Sequence, residues 1–361
     1  MGDTMTWAGL DVHARSTYAA VVDSRSGELS RVRFGGGAEA VVAWLAGLPA
    51  PVRAVYEAGP TGYGLARLAG ERGIRVDVIA PGKTPRAAAE RIKTDRRDAE
   101  LLVRQLMAGA LRPIHVPSPA MEAARDLVRA REDVRCDLSR ARHRVSKLLL
   151  RHGHVYPKDR STWTLQHRRW LAQRRFDEPN TELAYIDALA AVDGLTSRRD
   201  ALAERLSQVA SDAELWPTVA RLRAFRGIDT LTALALACEV GDWYRFTRPD
   251  QLAAWVGLVP SLTQSGESHT SGGITKTGSR HARRLLVEAA WHYQRPPRIG
   301  ATLRNRQQGQ PDHVLAIAWR AQHRLHRVHQ RLRERGKHSN LATAAAAREL
   351  ICFCWAAATA P

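Results

Sequence analysis

The sequence predicts an α/β domain over residues 1–118, a helical coiled-coil stretch over 119–210 and a mainly helical domain over 211–361. Three observations lead there. Up to residue 118, short apolar runs bounded by turn residues alternate with helical periodicities. From residue 119, apolar residues step by three and four along a heptad seam. Beyond residue 211, helical patterns dominate, interrupted by one Gly- and Ser-rich segment, Ser261–Gly278.

Each element has its own signature. Trp7–Asp11 is a short apolar run closed by an acid, and Ser16–Asp23 reads as the next strand. The turn Ser24-Arg25-Ser26-Gly27 lets Leu29–Phe34 pair back as a hairpin. Gly35-Gly36-Gly37 breaks the chain before a helix over Ala38–Leu48. Val52–Glu57 is a strand, Tyr63–Glu71 a helix and Arg75–Ala80 a strand. A helix then opens at Asp95-Arg96-Arg97-Asp98, with Thr94 as its N-cap. Three strands in hairpins followed by βα units place acids at the carboxyl edge of an open sheet.

The heptad helix at 119–151 carries Leu127, Val134, Leu138, Ala141, Val145 and Leu148, with Arg131 at one inner position. A second helix, near 182–210, repeats the pattern through Tyr185, Ala188, Val192, Leu195, Leu202, Leu206 and Val209. The pair forms an antiparallel hairpin within one chain or a coiled coil between two. Between them, Trp163, Arg168, Arg169 and Trp170 interleave bases and aromatics, a composition suited to phosphate contact and base stacking. The same residues equally suit a crossover whose tryptophans cap the helical hairpin. Val219–Phe225, Arg226-Gly227-Ile228-Asp229 and Thr230–Cys238 read as helix, glycine turn, helix, either a phosphate-contacting hairpin or an ordinary corner.

Composition narrows the partners. The formal net charge is +19 over 361 residues, mostly from arginine spread along the chain. Such an excess fits nucleic acid, where neutralised phosphates release counterions. Apolar residues make up 44%, enough for real cores. Cys136, Cys238, Cys352 and Cys354 match no zinc spacing, and the last two read as core thiols. The N-terminus shows no signal peptide and no apolar run looks long enough to span a bilayer, so a cytoplasmic protein with no membrane partner is expected.

Four acids carry the chemistry. Asp95 and Asp98, three apart, share one helix face, and Asp11 and Glu57 end two strands. Converging, these carboxylates suit a hard divalent cation such as Mg²⁺, which neutralises a phosphodiester and polarises the attacking oxygen. Each acid alone reads as a surface carboxylate, and Arg96 and Arg97 offer the Asp95/Asp98 pair an alternative partner. Downstream, Ser261–Glu267 presents several hydroxyls in a loop, Ser265 among them, any of which needs a base or a metal to become nucleophilic. Ile274-Thr275-Lys276-Thr277-Gly278 leads into a helix bearing Arg280, Arg283 and Arg284, a plausible phosphate cradle.

Together these stretches resemble the bacterial insertion-sequence transposases that pair a DEDD, RuvC-like domain with a serine-bearing transposase domain, the bridge-RNA-guided recombinases. The resemblance runs in order through Gly9-Leu10-Asp11-Val12-His13, Tyr56-Glu57-Ala58-Gly59-Pro60-Thr61-Gly62, Lys93-Thr94-Asp95-Arg96-Arg97-Asp98-Ala99, Gly257-Leu258-Val259-Pro260-Ser261, Gln264-Ser265-Gly266 and Ile274–Gly278 followed by Arg283-Arg284-Leu285-Leu286. It implies an RNase H-like fold for the first domain. It also implies that Asp11, Glu57, Asp95 and Asp98 are Mg²⁺ ligands and that Ser265 is the nucleophile, with a covalent phosphoserine–DNA intermediate. The partners it implies are donor and target DNA, a structured noncoding guide RNA and further copies of the chain, a dimer or tetramer with a site shared between protomers. The family's Ser-Ser-Gly-Gly is replaced here by Gln264-Ser265-Gly266-Glu267, and a second Ser-Gly-Gly at Ser271-Gly272-Gly273 makes Ser271 the minor alternative. Two other readings compete: a metal-dependent structure-specific nuclease of the Holliday-junction resolvase type, attacking with water, and a non-catalytic dimeric nucleic-acid-binding protein.

Overall fold

The computed structural model describes residues 5–81, 84, 94–157, 159–266 and 268–361. The chain divides into two compact units, Met1–Val116 and Pro117–Pro361.

The first unit is built on five strands: β1 (Thr6–Val12), β2 (Ser16–Asp23), β3 (Leu29–Gly35), β4 (Val52–Glu57) and β5 (Arg75–Ile79), in the order β3-β2-β1-β4-β5. β2 is antiparallel to β1 and β3, whereas β4 is parallel to β1 and β5. The helices are α1 (Ala38–Ala46), α2 (Gly64–Glu71) and α3 (Asp95–Met107). Strand alternation sorts the two faces. Ala8, Leu10, Ala54 and Tyr56 point to one side and pack with Val41, Val42, Leu45, Leu65 and Ala69 of α1 and α2. Val55 and Ile79 point to the other and pack with Leu102 and Leu106 of α3. Gly9 shares that second face, where a Cβ would overlap the Ala99 carbonyl and the Val103 amide of α3. Glycine is therefore required there so that the helix backbone can lie directly on β1. Asp77 on β5 is buried and ion-paired by Arg53, Nη2 to Oδ2 at 2.6 Å, and is structural.

The second unit holds α4 (Pro119–Arg151), α5 (Leu165–Ala172), α6 (Pro179–Val209), α7 (Trp216–Leu222), α8 (Thr230–Val240), α9 (Pro249–Val256), a hairpin of β6 (Pro260–Ser265) and β7 (Ser268–Ile274), then α10 (Arg280–Ala290), α11 (Ala301–Gln307), α12 (Asp312–Glu334) and α13 (Ser339–Ala358). Ala124 and Val128 at the start of α4 cluster with Leu206 at the end of α6. Leu149 at the end of α4 clusters with Tyr185 at the start of α6. The two helices are thus an antiparallel pair within one chain, and the seam residues Val134, Leu138, Ala141 and Val145 are buried.

Two expectations are corrected here. The Gly- and Ser-rich segment after Pro260 is a two-stranded ribbon, not a loop. Its small hydroxyl side chains permit the ladder, and Gly266 at φ +57° supplies the turn. Among the described residues there is also one helix, α13, long and apolar enough by composition to cross a bilayer, at 20 residues. Its Ala346, Leu350, Ile351 and Cys354 lie in the core of the second unit, which accounts for the apolar composition.

Candidate active site

The parallel pairing of β1 with β4 sets Leu10 opposite Tyr56, so Asp11 and Glu57 follow at the same level on adjacent strand ends. Both have the odd-numbered register that faces α3. On α3, Ala99, Leu102, Val103 and Leu106 form the buried stripe, and Asp95 and Asp98 continue it through the first turn. The Thr94 hydroxyl caps this turn by accepting from the Arg97 amide at 3.3 Å. Carboxylates in the first turn also meet the positive end of the helix dipole. Local sequence thus delivers all four acids to one face of the sheet.

What the structure draws together most closely is Asp11, His13 and Asp95, whose ligand atoms all lie within 4.8 Å of one another. His13 Nε2 stands 3.3 Å from Asp11 Oδ2 and 3.6 Å from Asp95 Oδ2. Glu57 and Asp98 are not within that group. The Glu57 carboxylate accepts from the Thr84 hydroxyl at 2.6 Å. Asp98 is near enough for its charge to act on Asp11. Burial is the main influence raising the Asp11 carboxyl above its ordinary value; Asp95 and Asp98 add to it, and His13 opposes them. Such an arrangement of mutually repelling acids fits a cation, and His13 adds a neutral nitrogen ligand or a proton-bearing counter-charge. His13 is the residue that the chemical reading of the acids passed over. The signal was present, since His13 follows β1 directly and the strand period, carried one step past its end, returns it to the face of Asp11.

Ser265 ends β6 at the ribbon tip, exposed and paired across the ladder with Ser268. Ser271 sits farther down, opposite Leu262. Glu267 lies outside the described residues. At the ribbon base, Gly257 caps α9 in the left-handed region at φ +76°, and Gly278 has φ +66°. A Cβ on Gly257 would overlap the Thr277 backbone, and one on Gly278 the Trp255 carbonyl. Arg283 closes this lock by donating to the carbonyls of Val256 and Thr277, both at 2.7 Å. Gly278→Ala is therefore expected to destabilise the second unit by about 1–3 kcal/mol through overpacking. Urea unfolding is the check, and an unchanged midpoint would show that the turn re-seats at no cost.

The remaining basic candidates divide. Lys276, in the turn between β7 and α10, and Arg280, the first residue of α10, are exposed. Arg284 is held by Glu132 and Glu288, both at 2.6 Å. Trp163 and Trp170 pack on the cluster of Leu138, Leu149 and Tyr185 at the far end of the α4–α6 pair. Between them His167 is buried, stacked on Trp170 at 5.6 Å and accepting the Trp163 amide at 3.0 Å through Nδ1. Arg168 pairs with Asp193 at 3.0 Å, whereas Arg169 is exposed. Gly227, in the turn between α7 and α8, packs against the Ala289 carbonyl of α10.

A buried polar knot ties α4, α8 and α10 together. His281 lies between Glu239, 3.5 Å away, and Glu132, 3.7 Å away. Arg129 forks onto Glu239 with two hydrogen bonds of 3.1 Å. Burial alone would raise the Glu239 carboxyl, but His281 and Arg129 outweigh it and hold it at about 2.

Comparison with known proteins places this geometry. Residues 8–153 match the family model of the DEDD transposase domain of IS110 elements, and residues 219–303 match the model described as the transposase IS116/IS110/IS902 family. The chain is 40% identical over 360 residues to y4qE of Sinorhizobium fredii, named as a transposase, across 98% of this chain and 88% of that one. It is 32% identical over 292 residues to the transposase for insertion sequence element IS1533 of Leptospira borgpetersenii, across 79% of this chain and 83% of the relative. The acid-bearing sheet edge lies inside the first matched region and the serine ribbon inside the second, and the chain belongs to the IS110/IS116 family of insertion-sequence transposases, enzymes whose substrate is DNA.

Proposed function

We propose that this transposase cuts and rejoins DNA through a serine at the tip of the β6–β7 ribbon, acting with a Mg²⁺ site formed by Asp11, Glu57, Asp95 and Asp98. The observation that carries the reading is the gathering of Asp11 and Asp95 around His13 at the sheet edge. A bound divalent cation there would neutralise the phosphodiester and acidify the attacking hydroxyl. The chain's own groups do the rest. Ser265 Oγ forms a new bond to phosphorus, and the bridging oxygen of the strand leaves with the hydroxyl proton. A free strand hydroxyl later reverses the step on a second DNA end. Lys276 and Arg280, exposed beside the ribbon base, offset charge on the phosphoryl oxygens.

The ribbon supports this assignment physically. β6 is exposed along nearly its whole length, and Leu262 is 78% exposed. Among the described residues no side chain of the ribbon is buried, and such a two-stranded ribbon is marginal in water and suits a surface completed by a partner. Ser265 belongs to one unit and the acids to the other, so the reaction requires the two to meet, within a protomer or between protomers of a dimer or tetramer. The +19 charge, Arg169 and the exposed part of the Trp163–Trp170 region suit a structured guide RNA.

The test traps the reaction and looks for DNA attached to protein. Ser265→Ala is expected to abolish the adduct while DNA binding persists. Loss of the adduct only in Ser268→Ala would move the nucleophile across the ladder, and loss only in Ser271→Ala would move it down the strand. Cleavage by the wild-type chain with no adduct would favour water as nucleophile and sink the serine assignment.

A further inference from the structure

Helix α12 carries a face that neither the core nor the proposed reaction uses. Between His313 and Arg333 it holds five arginines, four histidines and no acid. Basic amphipathic helices often serve membranes or partner helices through their apolar side. Here Val314, Ile317, Ala321 and Leu325 are buried in the core of the second unit. The apolar side is therefore spent, and only the charged side is on offer.

That side presents Trp319, Arg320, His323, Arg327 and Arg331, all exposed. Their helical spacing makes a single stripe, spanning about 16 Å from Arg320 to Arg331 at 1.5 Å per residue. Neighbouring arginines on the flanks are engaged: Arg324 forks onto Glu349 at 2.7 and 3.0 Å, and Arg333 donates to the Lys337 carbonyl at 2.8 Å. Among the described residues no ion pair engages Arg320, Arg327 or Arg331. Like charges four apart on a helix destabilise it slightly, so the row of cations is a liability without a polyanion. Trp319 is 40% exposed and sets its ring against His323 in a T-shaped contact at 4.6 Å. An indole held at a basic surface is a platform for a nucleobase, but only for an unpaired one.

We propose that this stripe of α12 binds an unpaired DNA strand, with phosphates along Arg320, Arg327 and Arg331 and a base against Trp319. The strand-transfer reading above supplies the source of that strand, since exchange between two duplexes frees single-stranded segments.

The test is equilibrium binding of a labelled oligothymidylate to the full chain in EDTA, where no strand chemistry occurs. Trp319→Ala is expected to weaken binding about tenfold, the order of one lost base stack, and Trp319→Phe to retain most of it. Replacing Arg320, Arg327 and Arg331 together by alanine should flatten the dependence of log affinity on log salt by about 2, near 0.7 for each single-strand phosphate. Because the variants lie on an exposed face, the helical circular dichroism should stay native. Wild-type affinity in Trp319→Ala would overturn the proposal. So would an equal loss on blunt duplex DNA, or a stronger dependence on Trp319 for an RNA oligonucleotide. Failure of the serine mechanism would leave this binding result standing, because binding in EDTA does not depend on cleavage.

Discussion

Replacing Asp11 with alanine is expected to abolish strand cleavage and transfer while leaving the first unit folded. Asp11 is the acid on which the site converges: His13 touches it, and Asp95 and Asp98 both press on its charge. Removing a preorganised charged group of this kind costs on the order of a hundredfold to a thousandfold in rate, and loss of a ligand to the proposed cation should reach at least the upper end. The stability effect should run the other way. The folded Asp11 carboxyl is raised, mainly by burial and then by its acidic neighbours. Its ionised form is therefore disfavoured in the fold at neutral pH. Asp11→Asn, which removes the charge and keeps the shape, should leave unfolding unchanged or raise its midpoint, most visibly above the carboxyl's folded value. Activity assays beside thermal melts at neutral pH read both effects. Full activity in Asp11→Ala would remove the site from the mechanism. A strongly destabilised Asp11→Asn would make the cluster structural. His13→Ala should fall between, at about 10–100-fold, as expected for a group that orients or supplements the carboxylates.

The sheet and its acids were legible because both follow short periods. Alternation along β1 and β4 fixes which residues face α3, and the spacing of Asp95, Asp98, Ala99 and Leu102 fixes how that helix meets the sheet. His13, one step past the end of β1, was readable by the same period, but a histidine beside an acid has no carboxylate signature to mark it. Gly9 shows a different limit: its need to be glycine comes from the α3 backbone, some ninety residues later, lying on it. The ribbon was not legible because, Thr263 and Thr270 apart, its Ser, Gln and Gly carry weak strand preference, and among the described residues it has no buried side chain to impose alternation. What ties it down is its base, where Gly257 and Gly278 allow close backbone approach and Arg283 donates to the Val256 and Thr277 carbonyls. The tryptophans near residue 163 were ambiguous by composition, since one ring can stack on a base or fill a corner. Their packing around His167 is a tertiary fact.

The polar knot is the clearest case of structure that no local pattern announces, and it yields the largest expected loss of stability. Glu132, Glu239 and His281 come from three helices far apart in sequence, and each alone reads as an ordinary helix residue. Together with Arg284, and with Arg129 reaching in from the surface, they form a charge network joining α4, α8 and α10 around the buried Glu239. Glu239→Ala would leave Arg129 and His281 facing a cavity without their acid. Breaking a buried pair from one side costs about 3–5 kcal/mol; here His281 stays buried while the half-exposed Arg129 can turn to water, so the second unit of this variant should lose an amount near the lower end of that range. Glu239→Gln keeps the volume and isolates the charge. The folded carboxyl ionises at about 2, against an ordinary value of 4.5. That gap corresponds to roughly 3 kcal/mol, present in full above the ordinary value and lost as pH falls toward the folded one. Denaturant unfolding of wild type and Glu239→Gln, followed by helical circular dichroism, should therefore diverge at neutral pH and converge on acidification. A difference that stays constant down to the folded value would show that packing, not charge, makes Glu239 matter. The knot also anchors Ser279, whose hydroxyl donates to Glu239 at 3.1 Å and caps the helix that carries Arg280 and Arg283. Loosening it should slacken the base of the serine ribbon, so Glu239→Gln is expected to lose strand-transfer rate at a pH where it is still folded.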